Sequence, residues 1–285
     1  MGIMFALIAL GCWGVGDFLI QRSTRAFGDW TALFFICAVG TILLAPFSVY
    51  EIFTSPLSEI GLALLFGSAV FMLLASLFQL EALKRGKISI IEPILTLEIL
   101  SAVLAGSMFL NEHLTRNQLI FIALIIVGIF LASVRSFSHF KSAHLEKGIW
   151  FALLGGLIMG GTDTLFGAGA REVSPFLVAW FTTTFMAIIT FLYLWHKKRL
   201  GEIVQGWKTH KKLICLVGFF DNTAWVAYPA SMLFIPVGIA TSISESYIVI
   251  NIILGLKLNK ERVSPHQYPG LALTVVGVIL LSLTL

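Results

Sequence analysis

Charge is what this sequence has least of: 12% of its 285 residues are Asp, Glu, Lys or Arg, against 58% apolar. Soluble domains carry roughly 25% charged residues, and part of any folded surface must face water, which excludes an ordinary water-soluble globule. The short alternating segments of a membrane β-barrel are also missing. Cysteine is sparse: Cys12, Cys37 and Cys215 stand inside apolar runs, without metal-ligand spacing, and read as small packing residues. No metal and no cofactor is expected. His113, His139, His144, His196, His210 and His266 all lie in or beside loops, so no Ser/His catalytic pair is expected among the apolar runs. No basic segment precedes the first apolar run, which therefore reads as a resident helix and not a removed signal.

What is present is a series of apolar runs of roughly twenty residues, the length that crosses a bilayer as helix. They cover 2–21, 29–50, 59–83, 88–109, 116–135, 147–168, 174–196, 212–233, 237–257 and 265–285. The expected fold class is an all-α membrane protein with ten transmembrane helices. Of the 19 basic residues, all but Arg116 and Arg171 fall in alternate loops. These loops run from Arg22 and Arg25, through Lys84, Arg85 and Lys87, to Lys257, Lys260 and Arg262. One missed helix would scramble that alternation. By the positive-inside rule the basic face is cytoplasmic, which puts both termini outside and the chain in the plasma (inner) membrane as a multi-pass protein. The basic pI reflects this topology, and nucleic acid is not an expected partner.

The chain also repeats itself. A shift of 146 positions lays Gly2, Ile3, Phe5, Ala6 and Leu7 on Gly148, Ile149, Phe151, Ala152 and Leu153, then Gly14, Asp17 and Arg25 on Gly160, Asp163 and Arg171. Near the end of each half the shift is 149, matching Glu112 to Glu261, Gln118 to Gln267 and Gly128 to Gly277. Each half, 1–140 and 141–285, holds five runs, and an odd number forces the second half to insert upside down. The basic loop at 84–87 has a counterpart near 234–237 with no Lys or Arg, as inversion requires. Inverted repeats around a midplane site are typical of secondary transporters.

Three features together carry a family resemblance: the two five-helix halves, Trp13-Gly14 midway along the first run, and the turns at Asn111-Glu112-His113-Leu114-Thr115 and Lys260-Glu261-Arg262-Val263-Ser264. The sequence resembles the EamA-type permeases of the drug/metabolite transporter superfamily over its whole length. That resemblance implies a ten-helix carrier exporting amino acids or other small metabolites, or conferring drug resistance. It also implies cytoplasmic termini, which the charge distribution here opposes.

No Lys or Arg lies deep in any apolar run, but Asp17, Glu98, Asp163, Asp221 and Glu245 do. A charge at the bilayer centre costs about 3 kcal/mol on insertion scales, so retained acids are expected to face a cavity or a partner. Asp17 and Asp163 are repeat mates, expected roughly 7–8 Å to either side of the midplane and reached from opposite sides. Trp13 shares a helix face with Asp17, and Asp221 with Trp225 and Tyr228. An acid beside an aromatic ring can hold a cation between charge and π-face. Glu92-Pro93 should interrupt the fourth helix. The matching stretch of the ninth, Thr241 to Ser246, is polar, with Asn251 further along. Interrupted segments at matching places mark a transporter's binding site, and a buried acid there can exchange protons as the cavity opens and closes. Glu81, three residues before Lys84, reads as interfacial or paired. Gly156-x-x-x-Gly160 and Ala102-x-x-x-Gly106 read as close helix contacts.

These features point to a secondary active transporter working by alternating access, as a monomer or a homodimer. Its expected partners are the lipid bilayer, a small polar solute and, as candidate coupling ion, the proton. The core offers acids, amides and aromatics but no cation, which favours a cationic, zwitterionic or neutral solute over a phosphorylated one. The alternative is an intramembrane aspartyl protease-like enzyme using Asp17, since Gly14-Val15-Gly16-Asp17 has the Gly-x-Gly-Asp form. Its usual Tyr-Asp partner motif is missing, and the repeat mate Gly160-Gly161-Thr162-Asp163 makes the first motif half of a symmetric pair.

Overall fold

The computed structural model describes residues 1–85, 88–134, 148–258 and 264–285, giving backbone alone for 88–90 and 92. Lys87, Arg135, His139, Lys141, His144, Lys147, Lys260, Glu261 and Arg262 lie outside the described residues. The described chain is helical, without strands: α1 (Gly2–Phe27), α2 (Asp29–Thr54), α3 (Glu59–Arg85), α4 (Ile88–Leu95), α5 (Leu97–Phe109), α6 (Arg116–Ser133), α7 (Gly148–Glu172), α8 (Pro175–His196), α9 (Leu200–Ser231), α10 (Val237–Ser244), α11 (Ile248–Leu258) and α12 (Gln267–Ser282). Eight helices are long and apolar enough to cross a membrane, accompanied by two shorter apolar ones, Pro93–Phe109 and Gln267–Ser282.

Two helices run furthest past their apolar segments. α1 continues to Phe27, because Gln21 to Arg25 can keep helical hydrogen bonding while their side chains meet headgroups and water. α9 starts at Leu200 and bends at His210, where φ is −129° and ψ 29°, so its first turns precede the buried stretch. Glu81 is paired, with Arg85 Nη2 at 2.5 Å and Lys84 Nζ at 3.8 Å.

The two repeat halves interleave. α1 packs on α9 and α3 on α7, and inversion of the repeat turns each of these pairs into the other. α2 packs on α8 and α6 on α12, each pair mapping onto itself. All four pairings join one half to the other. The two small-residue motifs meet: a Cβ on Gly160 would stand 2.5 Å from the Ala102 amide nitrogen, so α7 and α5 touch backbone to backbone. Gly270 and Gly128 do the same for α12 and α6.

The turn that ends at Thr115 leads into a helix start, and Ser264, the one described residue of its repeat mate, stands just before another. Thr115 caps α6 by accepting from the Gln118 amide, while Gln118 Oε1 accepts from the Thr115 amide at 2.8 Å. Ser264 and Gln267 repeat the second bond at α12, also at 2.8 Å. In the first turn Asn111 adopts a left-handed φ of 53°, which its short amide side chain tolerates, and so aims Glu112 back over the bundle.

Candidate functional site

Two helices break at matching depth. Thr96 separates α4 from α5, and a tight 3₁₀ turn, Glu245–Tyr247, separates α10 from α11. Thr96 and Glu245 are repeat mates at the 149 shift. Pro93 itself stays inside α4, and the chain leaves helix three residues later than the Glu92-Pro93 dipeptide suggests. At the break Thr96 Oγ1 donates to the Pro93 carbonyl at 2.7 Å.

Around these breaks lie two adjoining cavities. The smaller, about 320 Å³, is lined by Trp13, Asp17, Thr96, Glu98, Asp163, Asp221, Trp225, Glu245 and Tyr247, with no Lys or Arg among its lining residues. The larger, about 630 Å³, is mostly apolar, with Met72, Met159, Met186 and Phe166 in its walls, and reaches Thr24, Asp29 and Lys84 at the basic face. The two share Ile20, Gln79, Leu83, Met159, Asp221 and Trp225. A path therefore leads from the basic face to the acids.

All five acids singled out in the apolar runs converge on the smaller cavity. Asp17 Oδ2 accepts from Asn251 Nδ2 at 2.7 Å, which gives the ninth-run amide its role. Asp163 is 1% exposed; no donor meets its oxygens in good hydrogen-bond geometry among the described residues, and the Glu98 carboxyl and the Tyr228 hydroxyl are close enough to bond to it. Tyr228 is instead 2.6 Å from Thr241 Oγ1, where either hydroxyl can donate. Trp13 centres an aromatic cluster, 5.0 Å from Trp225, 5.1 Å from Tyr228 and 6.2 Å from Tyr247 between ring centroids. The side chain of Glu92 lies outside what is described. Asp17 and Asp163 do not occupy separate half-cavities as their depths suggest: both line the smaller cavity, which spans the middle of the bundle.

Sequence reasoning passed over Thr96, Gln79, Tyr247 and Met159. Thr96 was findable as the mate of Glu245, and Gln79 as an amide within an apolar run. Met159 carries no such signal, since a methionine suits any packed helix face. The Gly14-x-Gly16 spacing proves to be packing within a continuous α1: a Cβ on Gly14 would meet Ile250 Cβ at 2.6 Å.

Residues 1–134 and 146–283 each match the model of the EamA-like transporter family. One solved structure, described only as "Crystal structure of protein", aligns with a TM-score of 0.79 at 16% identity, covering 99% of this chain and 96% of that one. At that identity the likeness speaks for the fold alone. No curated protein matches this sequence.

Proposed function

Because the chain belongs to the EamA-like transporter family, we propose that this multi-pass membrane protein is a ten-span secondary active carrier and not an enzyme. Its two inverted repeats, 1–140 and 141–285, alternate access to the acid-lined cavity. The observation that supports this best is the pair of matched helix breaks, Thr96 and Glu245, flanking that cavity. Trp13, Asp17, Glu98, Asp163, Asp221, Trp225, Tyr228, Glu245 and Asn251 form the solute and proton site, with Glu92 at the head of the fourth span. A small cationic, zwitterionic or neutral polar solute suits a cavity whose titratable groups are acids. Protons are the proposed coupling ion, moved by carboxyls the bilayer would otherwise disfavour.

The cavity mouth and the basic loops share one face, so the charge rule assigns this conformation as open to the cytoplasm, with both termini outside the plasma membrane. A phosphatase reporter, active only outside the cytoplasm, should be active when fused after Leu285 and silent when inserted in the 197–212 segment. The reverse pattern would invert the assignment.

A further inference from the structure

On the face opposite the cavity mouth Ser58 donates to Glu172 and Ser174 to Glu51, and a separate cluster of polar contacts is centred on Arg171. Arg171, in the last turn of α7, donates from Nη2 to Glu112 Oε1 at 2.5 Å and to the Met232 carbonyl at 2.9 Å. Its Nε reaches the same carbonyl at 3.1 Å. Glu112 Oε2 accepts from the Val237 amide at 2.8 Å, at the N-terminus of α10. One ion pair thus ties together the α5–α6 turn, the end of α7, the end of α9 and the start of α10. Beneath it the helices touch tightly: a Cβ on Gly167 would lie 2.6 Å from Val237 Cγ2, and one on Gly238 2.5 Å from Val103 Cγ2. Asp163, on the cavity wall, is just over two turns of α7 below Arg171, about 12 Å.

Arg171 is unusual in its position, being one of only two basic residues outside the basic loops. Its repeat mate is Arg25, on the basic face, at the same spacing from Asp17 as Arg171 from Asp163. Arg25 is exposed, and Glu261, the mate of Glu112, lies outside the described residues. Leu83, which matches Met232 at the 149 shift, lines the open cavity, whereas Met232 is buried. The end of the repeat that carries Leu83 is thus open to the cavity, while the matched end that carries Met232 is closed and paired through Arg171.

We propose that Arg171 and Glu112 are the latch that holds the face opposite the basic loops closed, that it parts when solute passes through that face, and that Arg25 takes the equivalent closing role on the basic face in the other state. This rests on the alternating-access reading above. The physical case is that this guanidinium joins α7 to the end of α9 and, through Glu112, to the start of α10, over tight helix contacts on the side of Asp163 away from the basic face. A half-buried, hydrogen-bonded ion pair has a strength suited to a latch, enough to hold one state and yet replaceable by water when the ends separate.

The test is side-specific labelling of a Met159→Cys reporter on the cavity wall, in a background lacking Cys12, Cys37 and Cys215, with an impermeant thiol reagent in oriented vesicles. With the latch intact, labelling should come mainly from the basic face. Arg171→Gln and Glu112→Gln should each raise labelling from the opposite face roughly tenfold, the effect of removing about 1.4 kcal/mol from the closed state. Arg25→Gln should shift labelling the other way. Arg171→Glu combined with Glu112→Arg should recover part of the closure, since the ion pair returns but the Met232 and Val237 contacts do not. Monodisperse elution and persistent basic-face labelling establish that each variant is folded; if one glutamine variant fails this check, the other and the charge exchange decide. Unchanged one-sided labelling in folded variants would overturn the latch while leaving alternating access standing. Equal labelling from both faces with the latch intact would instead overturn alternating access itself.

Discussion

Asp163→Asn should reduce transport to the level of empty vesicles and at the same time raise the protein's thermal midpoint. The two effects have one cause. Asp163 is a carboxyl at 1% exposure that no donor meets in good hydrogen-bond geometry among the described residues, beside the Glu98 carboxyl and the Tyr228 hydroxyl, and a buried carboxylate so poorly satisfied costs about 1–3 kcal/mol. The amide keeps the shape, cannot be charged, and can donate to the neighbouring Glu98 carboxyl, so folding gains what function loses. Thermal unfolding of the purified variant beside a transport assay is the check. A midpoint that falls by several degrees would mark Asp163 as a structural acid.

Asp17→Asn and Glu98→Gln should each abolish accumulation against a gradient while leaving exchange of labelled for unlabelled solute measurable. Both carboxyls line the smaller cavity, where one can meet the solute and both can meet protons arriving from the basic face. Uphill movement needs a proton released on one side for each one bound on the other, and an amide at either position breaks that cycle. Exchange needs no net proton transfer and therefore persists. Normal accumulation by both variants would separate these acids from coupling.

The parts of this site that could be read from sequence are those that conflict with their surroundings. An acid in an apolar run is costly to keep, so Asp17, Glu98, Asp163, Asp221 and Glu245 stand out by residue type and position alone. Five such positions converging on one cavity is the consequence of that cost. The repeat was readable for a similar reason: Gly14, Asp17 and Arg25 recur as Gly160, Asp163 and Arg171 in an otherwise interchangeable apolar background. Met72, Met159, Met186 and Phe166 were not readable, because apolar side chains look alike whether they line a cavity or face lipid. The exact helix break was not readable: it lies at Thr96, three residues beyond Pro93, which itself stays inside α4. Arg171 and Glu112 were each visible as motif members, but their pairing across 59 residues is made only by the fold.

The central claim is that one site serves both sides in turn, and counterflow tests it most directly. The solute used is the one that most stabilises the purified protein against heat among amino acids, organic amines and neutral metabolites, since binding to the folded state raises the midpoint. Proteoliposomes loaded with unlabelled solute are diluted into a trace of labelled solute, and internal label is followed against empty vesicles. A carrier that returns faster when loaded should show a transient overshoot of label in the preloaded vesicles, and Asp163→Asn should remove it. Label entering at the same rate with or without internal solute, and without saturation, would show an open pore and contradict alternating access.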